Sequence, residues 1–442
     1  MSALPVVLKF GGAVLRSPEG FIAMAQRLRE YGRTAPMVVV ISAFGRVTQA
    51  LEAIARTAQV GQVEEALEAA SQLVYQHREY GAQLLCSGEQ GRMVDYLARS
   101  ALRLKEYVQG IAITGELTPR TLDLIRAFGE AWALELTAAF LREQGFRITT
   151  LDATELICTD TNHGMAQPLL KETARNVEAC LRPLICPGSI VLTQGFVARS
   201  VRGEITTMGQ ESSSLTAVLL AALIGAEEVH FWTDVAGVRV CDPAIVPDAA
   251  LVAQLSYEQA ARVARAGLRL LYPRMVELAE QRGLRLYIRS AFAPGAGQTV
   301  VSASPGMITP LIVSRERVWL WRLLPTELST ELRLHPVDGS TLLARWEDGQ
   351  HVWMVTSSDI SLPLSAEEGS MITLLYTTPQ QVSDLLSLCA RFLRDGISLR
   401  LCPGEHLQCF VPERAHALLV ESFWHALYSE ASLCTKLSEA AS

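Results

Sequence analysis

Nine cysteines are scattered through the 442 residues, and none forms a CxxC pair or has a histidine partner at metal-ligand spacing. A zinc site is not expected from that pattern, which fits thiols used as small apolar residues in a reducing compartment. The chain also lacks a basic run with interleaved aromatics. It carries 39 Lys and Arg against 46 Asp and Glu, a net charge of −7, so nucleic acid is not an expected partner. No apolar run is long enough to span a bilayer, and the stretch MSALPVVLKFGG has no charged-then-apolar leader, so a cytoplasmic protein with no membrane partner is expected. Low-complexity tracts and long linkers are missing too. With 49% hydrophobic and 19% charged residues, the chain reads as an ordinary globular protein of two or three domains.

The most informative stretch runs from Thr206 to Asp242. A turn containing Gly209 and Ser212, Ser213 and Ser214 leads into an Ala/Leu-rich helical segment over Leu215–Ile224. Gly225 stops it, and a β-type run, Val229–Asp234, follows. Turn, helix, glycine stop and strand make a βα unit of a parallel α/β sheet. The three serines are expected to cap the helix, whose mouth then favours an anion such as phosphate. Capping alone explains them equally well.

Pro5–Lys9 reads as a buried parallel strand ending in Phe10-Gly11-Gly12, with Lys9 at the strand end, where ligands bind in such sheets. Phe21–Tyr31 reads as a helix. Met37–Ile41 is a second strand, ending in the polar loop Ser42–Thr48. Residues 49–108 read as helix-rich and carry no chemical motif. Thr118 and Pro119 start a helix, and within it Gly129 hints at a break or a close approach. Phe146–Asp152, Ser189–Thr193 and Leu284–Ile288 are further strands, the last of its region, and residues 200–204 read as a hairpin. Ser256–Ala266 reads as a helix. From about Ile308, short β-type runs alternate with helical pieces at Thr378–Asp395 and Pro412–Glu430. That texture suggests α+β modules, with a boundary near residues 303–310.

Taken together, KFGG (Lys9–Gly12), SAFGRVT (Ser42–Thr48), LTPRTLDLIRAFGE (Leu117–Glu130), QGFVA (Gln194–Ala198), TTMGQESSSLTA (Thr206–Ala217), WTDVAGV (Trp232–Val238), Asp242-Pro243 and GLRLLYP (Gly267–Pro273) resemble the aspartate kinase family, in its order and across residues 5–303. The resemblance implies an amino acid kinase fold, an α/β/α sandwich with a mostly parallel sheet over residues 1–305. ACT-like regulatory modules, two in number, would occupy residues 306–442. It implies ATP-dependent, Mg²⁺-assisted phosphorylation of the side-chain carboxylate of L-aspartate, with an amino-acid effector at the ACT-like modules and a homodimer. Lys9 and Arg269 would be catalytic, and Lys9, Gly11, Gly12, Ser213, Ser214, Thr233, Asp234, Asp242 and Arg269 would hold the nucleotide. Thr48, Glu130 and Gln210 would hold the substrate. No side chain is assigned to a resident metal.

Departures from the family pattern gather on the same residues. Ala13 and Val14 replace two hydroxyls. Gln210 stands where an arginine would clamp a carboxylate, and Ser214 where an aspartate would organise the lysine. Ala131-Trp132-Ala133 follows Glu130 in place of Arg-Leu-Ser, Arg269 replaces a phosphate-facing lysine, and Ala244 follows Asp-Pro where an arginine is usual. Two alternatives follow: an impaired homologue acting as a regulatory or ligand-binding subunit, and a kinase for a different carboxylate.

Overall fold

The computed structural model describes residues 4–32, 35–209, 211–304, 306, 309–324, 342–347, 350–356, 366–394, 399–402 and 406–428. The chain divides into two units, the first of residues 1–236 and 277–303, the second of residues 237–276 and 304–442.

In the first unit, strands β1 (Val6–Phe10), β2 (Met37–Ile41), β3 (Ile148–Thr150), β5 (Ile190–Gln194) and β8 (Glu228–Thr233) lie side by side in the order β3-β5-β2-β1-β8. All four pairings are parallel. The continuous apolar sequence of β2, Met37-Val38-Val39-Val40-Ile41, all buried, is what a strand covered on both faces requires. Arg285–Ser290 extends the sheet in parallel beside β8, and Gln298–Ser302 pairs with it antiparallel. This last strand was not expected. The turn residues Pro294–Gly297 close a hairpin rather than end the region. A small second sheet joins β4 (Cys158–Thr159), β6 (Val197–Ser200) and β7 (Ile205–Thr207), with β6 and β7 forming the expected hairpin.

Helices cover the main sheet. They are α1 (Pro18–Glu30), α2 (Val47–Gln59), α3 (Val63–Leu84), α4 (Ser87–Thr114), α5 (Pro119–Glu143), α6 (Ala153–Leu156), α7 (Leu170–Asn176) and α8 (Ser212–Ile224). α5 begins as the sequence dictates: Thr118 accepts the N–H of Thr121 at 3.1 Å and Pro119 takes the first turn. Gly129 does not break it. A Cβ there would lie 2.8 Å from a methyl of Val47, so the glycine lets α2 pack close. α8 packs on β1, β2 and β8 and is buried on nearly every side, hence its lack of a polar stripe. It starts at Ser212 rather than Leu215, and Gly225 ends it in the left-handed conformation at φ 77°.

The three serines do not cap α8. The residue before the helix is Glu211, at φ 65°, with no side-chain cap. The Ser212 hydroxyl turns back to the Gly209 carbonyl at 2.6 Å, and the Ser214 N–H donates to the Glu211 carbonyl at 3.1 Å. The tight turn at Gly209 and Glu211 competes for the groups a cap would have used.

The second unit carries a six-stranded antiparallel sheet, Leu342–Glu347, Val352–Thr356, Leu311–Leu323, Ala366–Leu375, Leu407–Val411 and Arg400–Cys402 in spatial order. Helices Pro379–Arg394 and Glu413–Tyr428 accompany it, within a residue or two of the sequence expectation. The same unit holds helix Tyr257–Arg265, which Ser256 and Gln259 start with a reciprocal capping box.

Helix α1 depends on Gly20, where a Cβ would lie 1.7 Å from the Val14 carbonyl oxygen. Gly20→Ala is expected to cost about 2 kcal/mol or more of stability, because backbone cannot yield as a side chain does. An unchanged melting temperature would contradict this.

Candidate functional site

Parallel pairing places the C-terminal ends of β1, β2, β5 and β8 on one edge of the sheet. Lys9 and Gly11–Gly12 stand at the end of β1, Ser42–Thr48 after β2, Gly195 after β5, and Thr233 and Asp234 at the end of β8. The first-turn serines of α8 reach the same edge, since a Cβ on Gly195 would fall 2.6 Å from the Ser213 Cα. Such an edge is where ligands bind in open α/β sheets.

Gly11 and Gly12 form a tight cradle. The Gly11 N–H donates to the Trp232 carbonyl at 3.2 Å, and the Gly12 carbonyl accepts the N–H of Gly45 at 3.0 Å. A Cβ on Gly12 would lie 2.3 Å from the Ala43 oxygen, and one on Gly11 would lie 3.3 Å from the Lys9 Nζ. Side chains are excluded there, which leaves backbone beside the ammonium.

Glu130, carried on α5, is 3% exposed and accepts the Ala43 N–H at 2.8 Å. Burial pushes its carboxyl up to about 8, opposed by that hydrogen bond and by the Lys9 charge. Burial likewise lowers Lys9 from its ordinary value, while the negative charges of Glu211 and Glu130 pull it back up. Each group is thus disfavoured in its charged form and eased by the other's charge, Lys9 keeping part of its surface exposed.

Thr233 donates to Asp234 Oδ1 at 3.1 Å, and Asp234 Oδ2 lies 3.7 Å from Arg16. Thr48 is half-buried in the first turn of α2, behind the 42–47 loop. Ser213 and Ser214 are buried in the first turn of α8. Gln210 lies outside the described residues. Asp242 and Arg269 belong to the second unit. Asp242 there starts a turn, accepting the Ala244 N–H at 2.9 Å, and Arg269 is exposed.

Two features went unread in the sequence. Glu211 projects its charge onto Lys9, and its positive φ marks it out only in the fold. Asp123, fully buried one helical stretch before Glu130, accepts from Thr207 Oγ1 at 2.5 Å, the Gly164 N–H at 2.9 Å and His163 Nδ1 at 3.0 Å. His163 Nε2 lies 3.4 Å from Glu204, which pairs with Arg120 at 3.2 Å. The cluster ties β7, and so the turn into α8, to α5. An acid seven residues before Glu130 on the same helix was its only sequence signal.

The amino acid kinase family model matches residues 5–290. The chain belongs to the amino acid kinase family. Its similarity to lysine-sensitive aspartokinase 3 of Escherichia coli is 28% identity over 409 residues, covering 91% of this chain and 87% of that protein. Chloroplastic aspartokinase 1 of Arabidopsis thaliana is 24% identical over 446 residues, covering 99% of this chain and 75% of that one. In three dimensions it is similar to E. coli aspartokinase III solved with aspartate and ADP, at a TM-score of 0.78 and 21% identity, covering 96% and 99% of the two chains. The lysine- and aspartate-bound form of that protein gives 0.69 at 22% identity, with the same coverage. The fold is therefore that of aspartokinases, including their regulatory region. Among the described residues no helix is long and apolar enough to cross a membrane.

The buried carboxyl of Glu130 gives stability a pH dependence. Its folded value of about 8 lies above the ordinary 4.5, so its cost is absent in acid and grows from about pH 4.5 until it levels off near pH 8. Glu130→Gln is therefore expected to be more stable than the parent at pH 8, by on the order of 3 kcal/mol, and to show little difference at about pH 4.5. Chemical denaturation at the two pH values measures this. Equal differences at both would refute the assignment.

Proposed function

We propose that the chain is an aspartate kinase-like phosphotransferase that moves the γ-phosphoryl group of ATP to the side-chain carboxylate of L-aspartate. ADP and an acyl phosphate are the products. The supporting observation is the meeting, on one strand edge, of a Gly11–Gly12 cradle, the Lys9 ammonium and the buried Glu130 carboxyl.

Each group has a distinct task in this reading. The cradle admits phosphate oxygens against backbone N–H groups, and Lys9 neutralises charge building on the transferred group. Glu130 accepts the substrate ammonium. A cation arriving beside it favours the carboxylate, so substrate binding ejects the Glu130 proton. Thr48 and Gln210 are assigned to the substrate, Ser213, Ser214, Thr233 and Asp234 to the nucleotide. Asp242 and Arg269 keep their nucleotide assignment, and Arg269 its catalytic one, from the family resemblance alone.

Among the described residues no three His, Cys, Asp or Glu side chains gather into a metal cage. Magnesium would enter on phosphate oxygens and water, where it would offset phosphate charge. Residues 1–305 form the kinase-like domain in this reading, and residues 306–442 an ACT-like regulatory region. An amino-acid effector, a homodimer and a cytoplasmic location rest on the family resemblance.

Ser214 lacks the carboxylate that the family pattern places there, yet Lys9 is not left without one. Glu211 supplies a negative charge from the same turn and raises the lysine's affinity for its proton. Ser214 and Gln210 together favour the second reading, an impaired homologue acting as a regulatory or ligand-binding subunit.

MgATP at millimolar concentration is expected to raise the melting temperature of the parent chain, and Lys9→Ala to remove that rise. A coupled assay for ADP, with aspartate set against a panel of other carboxylates, then fixes the acceptor. Nucleotide binding without turnover on any of them supports the regulatory reading, and no nucleotide shift at all contradicts a kinase for aspartate or for any other carboxylate. Glu211→Gln is expected to move the alkaline limb of kcat/KM to lower pH, because Lys9 loses a charge that keeps it protonated. An unmoved limb would contradict the role given to Glu211.

A further inference from the structure

Arg16 lies in the loop that leads from Gly12 to α1. That loop folds back on the cradle, since the N–H groups of Val14 and Leu15 donate to the Gly11 carbonyl at 3.0 and 3.3 Å. The backbone of Arg16 is fixed from α3, where the Tyr80 hydroxyl donates to the Arg16 carbonyl. Its position is therefore set by the fold, while its side chain is 63% exposed.

The two ends of that side chain are located by what they meet. At its root, the Arg16 Cβ is 3.6 Å from where a Cβ on Gly45 would stand, in the loop after β2. At its tip, Nη2 lies 3.7 Å from Asp234 Oδ2, just past the end of β8. In the sheet, β1 runs between β2 and β8. The Gly12 carbonyl takes the Gly45 N–H on one side, and the Gly11 N–H reaches the Trp232 carbonyl on the other. A side chain rooted beside the β2 loop and ending at β8 thus reaches across the end of β1, where Gly11 and Gly12 form their cradle.

The contact with Asp234 is loose. At 3.7 Å it is too long for a hydrogen bond, and the Asp234 side chain is itself 34% exposed. Ion pairs of this kind contribute little, so the guanidinium can leave Asp234 for a better anion at small cost. The cradle has use for such a cation. Lys9 beside it already feels the charge of Glu211, and burial disfavours its ammonium form. Ala13 and Val14 bring no hydroxyl to the phosphates. A guanidinium stays charged at every pH the fold survives, and phosphoryl transfer draws on cations placed around the phosphates.

We propose that Arg16 is a second phosphate-binding cation of the nucleotide site, leaving Asp234 for the phosphate chain when MgATP enters. The proposal rests on the nucleotide reading of this strand edge and adds to it a residue outside every motif that suggested it. The planar fork of arginine matches two phosphate oxygens at once, which the point charge of Lys9 does not. The two cations then divide the work: Lys9 sits at the strand end, and Arg16 closes over the cradle from the loop behind it.

Isothermal titration of the full chain with MgATP, and with magnesium tripolyphosphate as the phosphate chain without its nucleoside, tests this. Arg16→Gln is expected to weaken both by about tenfold or more. Arg16→Lys, which keeps the charge and loses the fork, should weaken both by less. The loss caused by Arg16→Gln should be as large in an Asp234→Asn background as in the parent, because the arginine acts on the phosphates and not by holding Asp234. Undiminished MgATP binding in Arg16→Gln, a loss for MgATP with tripolyphosphate unchanged, or a loss that vanishes in the Asp234→Asn background would each overturn the proposal. A parent chain that binds neither ligand overturns the nucleotide reading and the proposal with it. A parent that binds both, with Arg16→Gln binding equally well, overturns the proposal alone.

Discussion

The sheet edge carries one electrostatic constraint, a lysine and a buried glutamic acid held near enough to feel each other's charge. In water either group would be ionised without cost. Here burial works against both charges at once, and each is eased only by the other and by a few neighbours. The Ala43 N–H supplies one hydrogen bond to Glu130, and Glu211 supplies a charge to Lys9. Such a pair is poised to respond to what docks beside it. Phosphate oxygens favour the lysine cation, and an incoming ammonium favours the carboxylate.

The fold explains why these groups can be held so closely. Parallel strands end together, so the loops after β1, β2, β5 and β8 are brought to one edge without any long-range instruction in the sequence. Glycines then set the distances. Gly12 lets the β1 loop touch Ala43 and Gly45, Gly129 lets α5 approach α2, and Gly195 lets the β5 end meet α8. Each removes a Cβ that would push apart two elements carrying site residues. Below them, Asp123 anchors Thr207 and the 163–164 turn, so the approach to α8 is fixed by a buried carboxylate rather than by hydrophobic packing alone.

Much of this was legible in the amino-acid sequence, for a physical reason. Met37–Ile41 is apolar without interruption and Val6–Phe10 is apolar but for Lys9, as a doubly covered strand requires, and Gly11-Gly12 directly follows the latter. Thr118-Pro119 and Ser256 announce helix starts through local hydrogen bonds that need no tertiary partner. The failures were non-local. Ser212–Ser214 look like caps in isolation, but a turn pinned by Gly209 and a left-handed Glu211 uses their groups otherwise. The strand Gln298–Ser302 was hidden behind Pro294 and Gly295, which read as an ending and proved to be a hairpin. The charge that Glu211 places on Lys9 comes from a residue distant in sequence, so no spacing rule could show it.

If Glu130 holds the substrate as proposed, it rests neutral and gives up its proton when an ammonium group docks beside it. Isothermal titration calorimetry of L-aspartate into the chain at about pH 6.5, in two buffers of different ionisation enthalpy, reads this proton directly. Release of close to one proton per aspartate bound is expected, falling away in Glu130→Gln. Binding with no proton released, or with the same release in both chains, would contradict it.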